Sequence, residues 1–380
     1  MQQPAGRGTP DFVLLSLTFM LTGFGILMVF SASSAIASIE PFNDPLYFTK
    51  RQILFAIAGF AGMFVLMNIP YLSLKKWFIP YFFAVVAALV FVLFRPPVNG
   101  ARSWIGVGSF GIQPAEFAKI GVILYLAALI TKKGDKIRDF RKGLIPVMAI
   151  VGFTTGLIML QPDFGTALIL VIIAASIIIA GGANLKHIFL LGGTAVASLS
   201  VTVLIYTMLT ESAGYRMERF TAFLNPWADP LGSGYQIIHS LYAFGHGGLT
   251  GAGFGQSIQK LHYLPYAHTD FIFAIIGEEF GFVGTTIFIL VYLTYLWRGL
   301  LIALRAADTF GTLIGIGVVS MIGFQALINI GGITNAIPLT GVPLPFISYG
   351  GSSLVSTLLA TGLLLAISRE NNRQNSRHSA

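Results

Sequence analysis

Ten predominantly apolar runs, each close to the ~20 residues that carry a helix across a bilayer, divide this sequence. They cover residues 11–31, 51–69, 77–94, 115–131, 144–160, 164–181, 187–208, 271–297, 311–332 and 349–368. A hydrocarbon core offers no water to backbone N–H and C=O groups, so runs of this kind must satisfy themselves as helices. They are continuous rather than alternating, which argues against a β-barrel. The expected fold class is therefore an all-α polytopic membrane protein with ten transmembrane helices. Charged residues make up 10% of the 380 positions and hydrophobic ones 55%, whereas soluble domains carry roughly 25% charged residues. No solvated surface can be built from that.

The net charge of +8 follows membrane topology rather than a nucleic-acid partner. With the N-terminus placed inside, fifteen of the 23 Lys and Arg fall on that side, seven fall outside, and Lys119 lies within a span. This bias puts both termini in the cytoplasm. The expected organisation is a cytoplasmic tail over 1–10, one transmembrane domain over 11–368, and a second cytoplasmic tail over 369–380. No cleavable signal is expected, because "MQQPAGRGTP" is short and polar and the run after it is long enough to span. Absence of cysteine excludes disulfides and thiolate metal sites.

The outside connections hold the unusual backbone. Residues 209–270 form a large extracytoplasmic loop between helices 7 and 8. Its part at 232–257, "GSGYQIIHSLYAFGHGGLTGAGFGQS", is too apolar for a linker and too broken for a span. A short interfacial or re-entrant helix followed by a glycine-rich turn is expected there. Residues 95–114 and 333–348 are also Gly- and Pro-rich.

Ionisable groups at membrane depth cost about 2.5–3.5 kcal/mol each and mark sites worth weighing. Glu116 and Lys119 stand at i, i+3 and share a helix face. They form either a local ion pair or a cation offered to an anionic ligand. Asp163 follows Pro162 in a turn, where it either caps the sixth helix or lines a cavity. Asp270 precedes "FIFAIIG" and suits a helix cap or first-turn carboxylate equally well, but it also closes the long loop, two residues after His268. Glu278 and Glu279 are turned about 80° and 180° from Asp270 on a helix, so they are read as structural or partner-facing. His239, His246, His262 and His268 match no zinc spacing. Trp104 and Trp227 suit interface anchors, and Trp104 beside Arg102 also suits stacking on a sugar or gripping a phosphate.

Five stretches carry a resemblance: "NGARSWIGVGSFGIQPAEFAK" (99–119), "QPDFGTA" (161–167), "NPWADPLGSGYQIIHSLYAFGHGGLTGAGFGQS" (225–257), "YLPYAHTDFIFAIIGEEFG" (263–281) and "GVPLPFISYGGSS" (341–353). Together they resemble the SEDS family (shape, elongation, division and sporulation proteins) over about residues 11–370, and its division and sporulation branch more than its elongation branch. The resemblance implies a peptidoglycan glycosyltransferase acting on lipid II and the growing glycan strand at the outer face of the bacterial cytoplasmic membrane. It implies Asp270 as the essential catalytic aspartate and matches Arg102, Trp104, Glu116, Lys119, Asp163 and Ser348 to family motifs; with Lys260 and His268 these form the expected substrate-binding set. It leaves room for a divalent cation, Mg2+ or Mn2+, with Asp270 or Asp163 as the alternative ligand, and implies no organic cofactor. The implied partner is a class B penicillin-binding protein within the division or related cell-wall machinery. A lipid II flippase and a non-catalytic scaffold are the rival readings.

Overall fold

The computed structural model describes residues 8–97, 102–106, 111–188 and 222–378. Among them the regular structure is helical, with one isolated bridge pairing Ile105 and Ile112. The apolar helices are α1 (Phe12–Ala37), α2 (Tyr47–Asn68), α3 (Phe78–Val92), α4 (Pro114–Lys133), α5 (Ile145–Met159) and α6 (Phe164–Ala180). After a loop helix, α7 (Tyr235–Gly247), come α8 (Ile272–Leu304), α9 (Thr309–Ile333) and α10 (Gly351–His378). Among the described residues seven helical stretches are long and apolar enough to span a membrane, while α3 and α6 are shorter apolar helices. These match nine of the ten expected runs. The seventh, at 187–208, lies almost wholly outside the described residues, as does the start of the loop after it.

Helices α4 and α10 form the centre, and their spanning stretches are mostly buried. The outer helices turn apolar side chains such as Phe83, Leu293 and Trp297 outward, as lipid-facing surfaces require. Small residues let α2 and α10 approach closely: a Cβ added to Gly362 would lie 2.9 Å from the Met63 carbonyl oxygen. Both chain ends meet at one end of the bundle. There Arg298 of α8 pairs with Asp11 at 2.7 Å, and the Ser368 hydroxyl of α10 accepts from the Asp11 N–H. The starts of α2, α4, α6, α8 and α10 lie at the opposite end.

Helix α8 is broken at Gly281, whose φ of 64° and ψ of −168° leave the helical region. A break at membrane depth frees carbonyls below it and N–H groups above it. The glycine-rich turn after α7 supplies both sets of partners. The N–H groups of Ala252 and Gly253 donate to the Glu278 and Glu279 carbonyls at 2.9 and 3.0 Å. In return Phe282 and Val283 donate to the carbonyls of Gly248 and Leu249 at 2.9 and 3.1 Å. The expected short helix and turn are thus α7 and a segment built into α8.

Gly281→Ala tests this insertion. An added Cβ would stand 2.2 Å from the Gly251 nitrogen, in a backbone region open almost only to glycine. A loss of about 1–3 kcal/mol is expected from backbone strain alone, read as a lower melting temperature in detergent. An unchanged melting temperature contradicts the exchange of hydrogen bonds.

Candidate active site

The end of the bundle opposite the termini gathers most of the candidate residues. Asp270 is half-buried two residues before α8. The cap of that helix is Phe271, whose side chain makes no capping bond, so the reading of Asp270 as the cap does not hold. Its backbone carbonyl accepts a hydrogen bond from Asn329 Nδ2 at 2.8 Å. Gly341 lies against its carboxylate, since an added Cβ there would come to 3.5 Å from Oδ2. The neighbouring His268 carbonyl accepts from the Tyr349 N–H at 2.9 Å.

The His268 ring packs on Phe48, with centroids 4.4 Å apart, and against Tyr349. Burial pulls its imidazole down to about 4, so it is neutral at pH 7, and its Nδ1 has no hydrogen-bond partner. The turn carrying Tyr349 is gripped by Gln52 of α2. Its Nε2 donates to the Ser348 carbonyl at 3.1 Å and its Oε1 accepts from the Gly350 N–H at 3.4 Å. Ser348 itself is buried, and its hydroxyl accepts the Leu344 N–H at 2.8 Å. That side chain closes a turn; it does not face an open cavity.

A second polar cluster lies between α4, α6, α9 and α10. Lys119 reaches Glu116 at 2.8 Å and Gln325 Oε1 at 2.7 Å, while the Ser356 hydroxyl donates to the other Glu116 oxygen at 3.0 Å. Both charges are enclosed: Lys119 is 1% exposed and Glu116 2%. Asp163 caps α6 by accepting the Thr166 N–H at 3.0 Å, and its other oxygen accepts from Gln113 Nε2 at 2.8 Å. Burial raises its carboxyl above the ordinary aspartate value, against the Thr166 bonds; Glu116 pushes it further up and Lys119 draws it down. Asp163 therefore serves as cap and as a neighbour of the buried pair at once. Gln113 ties this cluster to α10, because its N–H donates to the Ser352 hydroxyl at 2.9 Å.

Arg102 is exposed and donates to the Leu93 carbonyl at 3.3 Å. Trp104 packs on Gly111, where a Cβ would stand 2.8 Å from its ring.

Lys260 is elsewhere, and its expected place among substrate-facing cations needs correction. The residue is 5% exposed, and its ammonium bonds Glu279 at 2.8 Å and Ser31 of α1 at 2.9 Å. A buried glutamate needs a counter-charge, and Lys260 supplies it. Glu278 accepts from His246 at 2.9 Å, from the Ile258 N–H at 2.9 Å and from the Ser257 hydroxyl. Both glutamates therefore anchor the inserted segment.

Among the described residues no three His, Asp or Glu side chains converge to hold a metal ion, and both Asp163 oxygens already have donors. Four uncharged amides, Gln52, Gln113, Gln325 and Asn329, organise the site, and a search for ionisable groups does not find them. Three of them were visible as isolated polar residues inside or bordering apolar runs.

The family model described as "Cell cycle protein", for FtsW, RodA and SpoVE, matches residues 12–373. The chain is 46% identical over 371 residues to "Stage V sporulation protein E" of Bacillus subtilis, covering 96% of this chain and 98% of that one. It is 43% identical to the "Probable peptidoglycan glycosyltransferase FtsW" of Trichlorobacter lovleyi, covering 97% and 95%. A solved chain from "Structural coordination of polymerization and crosslinking by a peptidoglycan synthase complex" superposes with a TM-score of 0.77 at 29% identity, covering 95% of this chain and 98% of that one.

Proposed function

Since the chain belongs to the FtsW/RodA/SpoVE family of cell cycle proteins, we propose that it is a peptidoglycan glycosyltransferase. It polymerises lipid II into glycan strands at the outer face of the cytoplasmic membrane, for septal or spore wall synthesis. The observation that carries this reading is the placement of Asp270: half-buried, outside the helix cap, and fixed by its backbone at the end of the bundle remote from both termini.

Asp270 is the general base. It takes the proton from the acceptor GlcNAc 4-hydroxyl as that oxygen attacks the donor MurNAc anomeric carbon from the face opposite the pyrophosphate. The C–O bond to pyrophosphate breaks, the anomeric centre inverts, and the polyprenyl pyrophosphate leaves. Pyrophosphate is a good leaving group, so one base suffices where glycoside hydrolases use two carboxylates. The exposed Arg102 and the enclosed Lys119 oppose the charge that develops on it. Trp104 offers a face for a sugar. Ser348 and Lys260 hold the walls, through the turn at 344–348 and the segment inserted into α8. Any divalent cation is assigned to the substrate's pyrophosphate rather than to a resident protein centre.

The partner is a membrane-anchored class B penicillin-binding protein of the division or related machinery, docking beside α8 and α9. Its support is the synthase complex that the fold resembles. The charge bias places both termini in the cytoplasm, and their meeting at one end of the bundle supports that topology.

Reconstitution with lipid II on the accessible face tests the activity. Glycan strands are the expected product. Unchanged lipid II in the presence of the transpeptidase partner overturns the reading in favour of a flippase or scaffold.

A further inference from the structure

We infer that Asn329 is a positioning residue that sets the catalytic aspartate against the wall of its own site; this rests on the assignment of Asp270 as the base. Asn329 lies near the end of α9 and is 4% exposed. Its Nδ2 donates twice, to the Asp270 carbonyl at 2.8 Å and to the Val342 carbonyl at 2.7 Å. An amide nitrogen has two protons, so both are used. One side chain thereby joins two segments far apart in sequence: the end of the long loop, and the 341–349 loop.

The consequence falls on the Asp270 carboxylate. The Asp270 carbonyl lies before the first turn of α8, while Ala274 N–H bonds the next carbonyl, that of Phe271. Asn329 donates to it from another helix. At Gly341, the residue before Val342, the chain runs against Asp270 Oδ2. The bond to Val342 therefore fixes the wall, and the bond to Asp270 fixes the base facing it. On the other side, the Tyr349 N–H holds the His268 carbonyl. Removing the Asn329 donors takes a hydrogen bond from each of the two carbonyls and loosens the Asp270 backbone on one side. A shift of about 1 Å in a reacting group can cost 10²-fold in rate.

Three variants of the purified complex test this, each measured for kcat, for KM toward lipid II and for melting temperature. Asn329→Ala is expected to lower kcat about 10- to 100-fold while KM stays within about twofold. Asn329→Asp keeps the shape but, when ionised, has no donor. When protonated it regains one, and burial raises its pKa. The ratio of its kcat to that of wild type is therefore expected to rise as pH is lowered, a change that a merely structural role would not produce. Asp270→Asn serves as the control for the underlying assignment.

If Asp270→Asn is inactive while Asn329→Ala keeps wild-type kcat, the inference fails and the base assignment stands. If Asp270→Asn is active, the base assignment fails and the inference with it. A loss in Asn329→Ala explained by KM or by unfolding, together with a pH-independent Asn329→Asp ratio, also overturns it.

Discussion

Asp270→Asn is expected to reduce glycan polymerisation by about 10²–10⁴-fold, the usual contribution of a positioned general base. Asparagine matches aspartate in shape and cannot accept a proton from the acceptor hydroxyl. The backbone clamps at Asp270 and His268 use carbonyl groups, not the carboxylate, so the variant should fold and still bind lipid II. The measurement is strand formation by the purified complex, beside a binding assay and a melting curve. Wild-type polymerisation by the folded variant would remove Asp270 from the role of base. Loss of activity accompanied by loss of lipid II binding would make it a binding residue instead.

The parts of this molecule that were legible in its sequence are those governed by one local rule. Bilayer thickness fixes span length, so α4, α5, α6 and α9 appear as apolar runs with nearly correct limits. Helical spacing places Glu116 beside Lys119, and that pair stands as the i, i+3 rule requires. Glu279 illustrates what spacing cannot give. Its partners are Lys260, across a turn and a helix start, and Ser31 of α1, and only the tertiary fold brings them together. The break at Gly281 was equally hidden, because "GEEFGFVG" keeps the composition of a span while its backbone departs from one. The polar amides were visible as residues, but most of their targets are backbone groups in the loops at 270 and 342–350, which no side-chain pattern announces. The same holds for Lys260. Its charge suited an anion, and its surroundings turned out to be a buried carboxylate.

Lys119→Met is expected to destabilise the protein by about 3–5 kcal/mol, the range for breaking a buried ion pair by removing one partner. Glu116 would remain 2% exposed, with the Ser356 hydroxyl on one oxygen and nothing opposing its charge. Gln325 would lose the donor to its Oε1. Adding Glu116→Gln removes the stranded charge, and the double variant should regain most of the lost stability, because neutral replacements for a buried pair are often close to neutral in effect. Polymerisation should not return with it. An ammonium has three protons; Glu116 and Gln325 take two, and in the proposed mechanism the third is the one offered to a pyrophosphate oxygen. A hydrogen bond to a charged group contributes about 1.5–3 kcal/mol, so a stable double variant should remain at least about tenfold slower than wild type. Melting temperature and initial polymerisation rate, taken on the same preparations, separate the two effects. Recovery of rate alongside stability would confine Lys119 to neutralising Glu116 and leave Arg102 as the cation that meets the leaving group.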